Sequence, residues 1–287
     1  MPPSTRQQFR AALVPGAALL LPGVANALAA RVVADCGFAA AYVTGAGIAN
    51  TTLGIPDNGL VTMTELLDHV VAIRAVFPGM LMVDADTGFG NALNMQRTIR
   101  VLERAGADAV QIEDQVFPKR CGHFEGKEVI PADEMVQKIK AAVDARTDPD
   151  LLIVARTDAI AVEGFNAAMD RAHAFQEAGA DIGFVEAPTD PEQMAAIGRL
   201  PWPQLANIVI GGKTPERSND EMKKLGFAGV IYANTALQAA VLGMQRALSH
   251  LHQNGEVGKA ADQLATFAER QRLVDIGAFQ AMERKYR

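Results

Sequence analysis

Three observations predict an α/β fold, a closed (β/α)8 barrel of TIM type with a C-terminal helical extension. Eight short apolar runs alternate with longer helical stretches along the 287 residues. The runs are continuous rather than alternating, as in parallel strands covered on both faces. Four helix–glycine–strand junctions repeat one device, at Gly37, Gly106, Gly179 and Gly226, where a helix ends in a left-handed residue before the next strand. A doubly wound open sheet is the alternative. A dinucleotide-binding sheet would carry G-x-G-x-x-G after its first strand, and Pro22-Gly23-Val24-Ala25-Asn26 lacks it.

Taken in order, the expected strands are residues 18–21, 40–44, 80–84, 109–113, 151–156, 183–186, 205–208 and 229–232. Helices are expected at 28–37, 94–105, 132–145, 164–178 and 218–225. Cys36, in the first of these, reads as an inert core residue. Residues 235–287 exceed what one closing helix requires. Their amphipathic stretches, 237–254 and 259–274, are expected to cover a neighbouring subunit. Nothing divides the chain, so residues 1–287 read as one domain.

Composition excludes several classes. With 27 basic and 33 acidic residues the net charge is −6, and no basic block occurs. That disfavours nucleic acid and anionic membrane surfaces as partners. No apolar run reaches the roughly 18 residues of a membrane span. Residues 11–30 are apolar but broken by Pro15, Gly16, Pro22, Gly23 and Asn26. Arg6 and Arg10 precede them, yet no small-residue cleavage site follows, so no signal peptide is expected. Two cysteines, Cys36 and Cys121, fit a reducing cytoplasm.

In a barrel the chemistry belongs at the C-terminal strand ends. Here those ends carry Tyr42-Val43-Thr44-Gly45-Ala46, Asp84-Ala85-Asp86, Glu113-Asp114, Arg156-Thr157-Asp158, Glu186 and Asn207. Acids converging on one mouth repel unless a cation joins them. Asp84, Asp86 and Glu113 are therefore a candidate site for Mg²⁺ or Mn²⁺, the hard ions that oxygen ligands suit. A turn role for Asp86 is the alternative. Thr44, Gly45 and Ala46 offer backbone N–H groups to a carboxylate. Asp57 reaches the same mouth or serves its own turn. Arg156 pairs with a substrate carboxylate, or with Glu186 or Asp158. Lys119-Arg120-Cys121-Gly122-His123 follows strand four as a polar loop, and its cations favour a Cys121 thiol able to transfer a proton near neutral pH.

Asp84-Ala85-Asp86-Thr87-Gly88-Phe89-Gly90-Asn91, Ile112-Glu113-Asp114-Gln115, Lys119-Arg120-Cys121-Gly122-His123 and Ala155-Arg156-Thr157-Asp158-Ala159 together resemble the isocitrate lyase / phosphoenolpyruvate mutase superfamily over nearly the whole chain. Asn207-Ile208-Val209-Ile210-Gly211-Gly212-Lys213-Thr214-Pro215 is similar to the 2-alkylmalate (2,3-dimethylmalate) lyase branch, with Ile210 where that pattern has an acid. The methylisocitrate lyase branch is the near alternative. An oxaloacetate hydrolase or decarboxylase is a second, and a non-catalytic dicarboxylate-binding barrel a third.

The resemblance implies an α/β barrel in a homotetramer, a dimer of helix-swapped dimers. It implies a Mg²⁺-dependent carbon–carbon lyase acting on a 2-hydroxydicarboxylate, releasing a 2-oxoacid such as pyruvate and a carboxylic acid. Within that mechanism Thr44, Gly45, Ala46 and Arg156 hold the C1 carboxylate, and Tyr42, aided by Arg156, takes the hydroxyl proton. Cys121 on the Lys119–Arg120 loop protonates C3. Gly122, His123 and Asn207 stabilise the second carboxylate. Glu113 and Glu186 orient their neighbours.

Overall fold

The computed structural model describes residues 2–120, 122 and 126–287. Its strands are β1 (Leu19–Val24), β2 (Ala40–Val43), β3 (Met80–Asp84), β4 (Ala109–Glu113), β5 (Leu152–Thr157), β6 (Ile182–Val185), β7 (Gln204–Asn207) and β8 (Gly229–Tyr232). All neighbours pair parallel in chain order, and β8 returns to β1, from Leu19 opposite Gly229 to Pro22 opposite Tyr232. The expected closed barrel is formed and the open sheet is not. The junction glycines 37, 106, 179 and 226 have φ of +82°, +93°, +101° and +99°, the left-handed region their place after a helix predicts.

The largest boundary error is at β1, which runs on to Val24 through a Pro-Gly pair that looks like a turn. Packing explains it. A Cβ on Gly23 would lie 1.9 Å from the Ala233 carbonyl oxygen, so only glycine lets this strand and the end of β8 approach so closely.

Because side chains alternate along a strand, each has an inward and an outward set. Ala40, Tyr42, Met80, Met82, Ala109, Leu152, Val154, Ile182, Phe184, Leu205 and Ile231 cluster inside the barrel. Ala41, Val43, Leu81, Val83, Val110, Ile112, Ile153, Ala155, Val185 and Ala206 pack outward in the helix layer. The inner cluster is closed at the N-terminal end of the strands by Phe9 and Leu13, both buried.

Phe9 belongs to a helix that the apolar pattern did not predict, Thr5–Ala12. A capping box starts it: the Gln7 N–H donates to Ser4 Oγ, and the Ser4 N–H donates to Gln7 Oε1. Arg6 and Arg10 fasten it beneath the barrel, 2.8 Å from Asp148 and 3.0 Å from Asp181. Cys36 is a further correction. It caps the helix Ala27–Asp35 and is exposed, because the last turn faces away from the sheet.

After β8 come helices Thr235–Asn254, Phe267–Leu273 and Ile276–Lys285, with a 3-10 segment Gly258–Gln263 where one continuous helix was expected. The backbone breaks at Ala260 (φ −115°, ψ 21°) and again at Asp275 (φ +60°). No residue of the three α-helices is buried. Leu242, Met244, Leu248, Phe267, Phe279 and Met282 stand exposed. Arg272 ties this extension back to Asp35 at 2.7 Å. No described helix is long and apolar enough to cross a membrane.

Candidate active site

The inward parity continues past the strand ends. Tyr42 and Thr44, Asp84 and Asp86, Gln111 and Glu113, Arg156 and Asp158, Glu186 and Asn207 share it with the inner cluster. They meet at the C-terminal mouth. A cavity of about 40 Å³ there is lined by Tyr42, Thr44, Ala46, Asp57, Asp84, Lys119, Gly122, Arg156, Glu186, Asn207, Val209, Ala233 and Asn234. Ten of those positions were expected from sequence. Asp114 and Thr157 have the opposite parity and a different role. The Thr157 hydroxyl and the Asp158 N–H donate to Asp114 at 2.7 and 2.9 Å, and Arg171 holds Asp114 at 3.1 Å.

At the end of β2 the expected small-residue turn is the start of a helix, Gly45–Ile48, capped by Thr44, whose hydroxyl accepts from the Gly47 N–H. The leading N–H groups of such a turn lack intrahelical partners, and Ala46 lines the mouth. A Cβ on Gly45 would stand 3.2 Å from Asp86 Oδ1 and 3.5 Å from Asp84 Oδ2. Both carboxylates therefore face the space that this glycine leaves.

Asp86 sits at φ +47°, a left-handed conformation that Asp tolerates better than most residues, and its N–H donates to Asp84 Oδ1 at 3.2 Å. The turn reading and the mouth reading of Asp86 thus hold together. Lys119 Nζ lies 2.5 Å from Asp57 and 3.0 Å from Asp86. Burial pushes the Asp86 carboxyl up to about 7, against the pull of Lys119 and with the help of Asp84 and Asp57. Burial likewise drives Glu113 well above the usual carboxylate range despite Arg156.

Arg156 is the centre of the other half. Its Nε and Nη2 donate to Asp158 at 2.8 and 3.0 Å, and Nε lies 3.3 Å from Glu113 Oε2. Of the alternatives open for Arg156, the Asp158 pair is made. Burial opposes its charge, and Asp158, Glu186 and Glu113 outweigh burial. Asn207 Nδ2 reaches Glu186 at 3.4 Å.

Among the described residues no three His, Cys, Asp or Glu side chains stand close enough together to hold a metal ion. Of the expected trio, Glu113 is drawn to Arg156 at 3.3 Å, and one of its oxygens, Oε1, is buried with no hydrogen-bond partner among the described residues. Asp84 and Asp86 still fit a hard divalent ion held by one or two carboxylates and waters. Asp57, Asp84, Asp86, Glu113, Asp158 and Glu186 are buried near Lys119, Lys127 and Arg156, and the repulsion by which neighbouring acids help raise the Asp86 and Glu113 carboxyls is what such an ion relieves.

Tyr42 departs from expectation. Its hydroxyl donates to Gln111 Oε1 at 3.1 Å, and Gln111 Nε2 donates to Asp84 Oδ1 at 3.1 Å. Burial and Asp84 push Tyr42 well above its usual value, outweighing Arg156, so it stays protonated. Arg120 was expected as a cation beside Cys121, a relation outside the described residues. It is exposed and lines an outer groove of about 700 Å³ with Pro118 and Gly126, not the mouth cavity. Cys121 and His123 lie outside the described residues. Their neighbour Gly122 does reach the mouth: a Cβ there would lie 2.4 Å from Arg156 Nη2 and 2.7 Å from Glu186 Oε1. Sequence reasoning missed Gln111, Asp158 and Lys127 as parts of the site. The inward parity of Gln111 and Asp158 was the signal available.

Residues 9–252 match the family described as phosphoenolpyruvate phosphomutase. The chain is 40% identical over 284 residues to 2,3-dimethylmalate lyase of Eubacterium barkeri, covering 99% of this chain and 98% of that protein. It is 45% identical over 252 residues to 2-methylisocitrate lyase of Aeropyrum pernix, covering 88% and 81%. A solved structure of oxaloacetate acetylhydrolase with the inhibitor 3,3-difluorooxalacetate superposes with a TM-score of 0.90 at 33% identity, covering 98% of this chain and 95% of that one. With the closed barrel and its acid-lined mouth, these likenesses make the chain a member of the phosphoenolpyruvate mutase/isocitrate lyase superfamily, an enzyme of its carbon–carbon lyase kind.

Proposed function

We propose that the protein is a Mg²⁺-dependent lyase (Mn²⁺ serving in its place) that cleaves a 2-hydroxydicarboxylate of the 2-alkylmalate or 2,3-dimethylmalate type into a 2-oxoacid such as pyruvate and a carboxylic acid. The observation that carries this reading is how the polar groups of the mouth are spread around the ring of strands. Thr44, Asp84 and Asp86 stand at the ends of β2 and β3, Glu186 and Asn207 at the ends of β6 and β7, and Arg156 on β5 between them, with Gly122 of the Cys121 loop over Arg156. A dicarboxylate needs such separate holds for its two ends.

When bound at Asp84 and Asp86, the cation supplies Lewis-acid polarisation of the C2 oxygen. Thr44, the Gly45 and Ala46 N–H groups and Arg156 hold the C1 carboxylate. Tyr42, held protonated, hydrogen-bonds the C2 oxygen, and the hydroxyl proton leaves to a carboxylate of the Asp84–Asp86 pair. The C2–C3 electron pair moves to C3 as the C2 carbonyl forms. Cys121 Sγ–H delivers a proton to C3. Gly122, His123 and Asn207 stabilise the charge that grows on the second carboxylate, where preorganised donors act most strongly. Glu113 and Glu186 orient Arg156 and Asn207. The exposed apolar face of the C-terminal helices is covered in a homotetramer of helix-swapped dimers.

The 40% identity to a dimethylmalate lyase over almost the full length supports the alkylmalate reading; the 45% identity to a methylisocitrate lyase keeps that substrate as the second reading. Pyruvate release from 2,3-dimethylmalate, 2-alkylmalates and 2-methylisocitrate, with acetate and oxalate followed from oxaloacetate, tests it. Turnover greatest on an alkylmalate is expected. Turnover confined to oxaloacetate overturns the lyase assignment.

A further inference from the structure

Lys127 has no part in the chemistry above, yet it is one of the most deeply buried cations of the chain, its side chain 1% exposed. Its Nζ donates to two acceptors, the Gly122 carbonyl at 2.6 Å and Asp158 Oδ1 at 2.8 Å. Asp158 is wholly buried and takes two further bonds from Arg156. Its backbone is in turn held by Asp114, which Arg171 and Thr157 fix. Lys127 therefore joins one backbone atom of the loop to the rigid end of β5.

We propose that Lys127 is a positioning residue for the lyase reaction: it clamps the Gly122 backbone to the Asp158–Arg156 pair and so sets how that backbone meets the substrate's second carboxylate. This rests on the lyase reading, in which Cys121 and His123 act. Charge-assisted bonds are about twice as strong as neutral ones, which suits a single clamp. The space leaves little slack, since Gly122 already approaches Arg156 and Glu186 too closely for a Cβ. A misplacement of about 1 Å costs a reaction on the order of 100-fold.

The test uses Lys127→Met and Lys127→Arg in a Cys36→Ser background, which leaves Cys121 as the only thiol. Lys127→Met is expected to lower kcat about 100-fold while KM changes less than about threefold, the split of a contact needed in the transition state. Lys127→Arg, which retains the charge, should recover at least about tenfold of that loss. Iodoacetamide alkylation of Cys121 should change in rate at least about fivefold in Lys127→Met and return towards the parent rate in Lys127→Arg. Unchanged kcat or an unchanged alkylation rate in Lys127→Met overturns the proposal, as does a parallel loss in both variants that follows the fraction unfolded. If the parent cleaves no 2-hydroxydicarboxylate, the lyase reading fails, and the alkylation rates still decide whether Lys127 sets the loop.

Discussion

Asp158 carries two buried cations and is kept charged by them. Burial works against its ionisation, yet Arg156 and Lys127 hold its carboxyl well below the usual range. An unfolded Asp titrates near pH 4. The stabilisation is therefore complete above that pH and is lost as pH falls towards the lower folded value. Asp158→Asn takes the paired carboxylate from Lys127 and one of three acids from Arg156, and a loss of about 3–5 kcal/mol at pH 7 is expected in urea unfolding. The gap to the parent should narrow below about pH 4; a gap independent of pH contradicts this account. Cys121→Ser should lower turnover about 10²–10⁴-fold, the scale of general-acid catalysis, while pyruvate still binds; equal turnover removes the thiol from the mechanism. Most of the mouth was legible because the strand ends are polar in a chain whose runs are otherwise apolar. Gln111 escaped because it lies inside an apolar run, where only alternation marks it as inward; Asp158 was read only as a partner of Arg156.

At the scale of elements, the eight strands were readable from their apolar continuity, since both faces of each are covered. Helix Thr5–Ala12 was not, because a single apolar side chain, Phe9, is its only buried residue. It stoppers the barrel far from the mouth. Phe9→Ala should cost about 3–5 kcal/mol in unfolding while leaving kcat at low temperature unchanged; a drop in kcat with no loss of stability would place the helix in the active-site machinery instead. The Pro22-Gly23 pair misled for a reason outside its own segment. What permits the strand to continue is the neighbouring backbone at Ala233, which local sequence does not announce. The same holds for residues 259–274, where the break at Ala260 and the end of the 3-10 segment at Gln263, ahead of the helix Phe267–Leu273, divide an amphipathic pattern into short pieces.

For the whole molecule, a C-terminal extension with no buried residue in its α-helices predicts association. Sedimentation should give the mass of four chains, and removal of residues 265–287 should lower it; a monomer with the extension intact overturns the assembly. The stoppered barrel has a final consequence for kinetics. On the proposed lyase reading, with Phe9 and Leu13 filling the N-terminal end of the barrel, both fragments leave through the mouth by which the substrate arrived. With its C1 carboxylate held by Thr44, Ala46 and Arg156 in that reading, the 2-oxoacid is expected to depart after its companion. Product inhibition should then be competitive for the oxoacid and noncompetitive for its companion, a pattern that random release would erase.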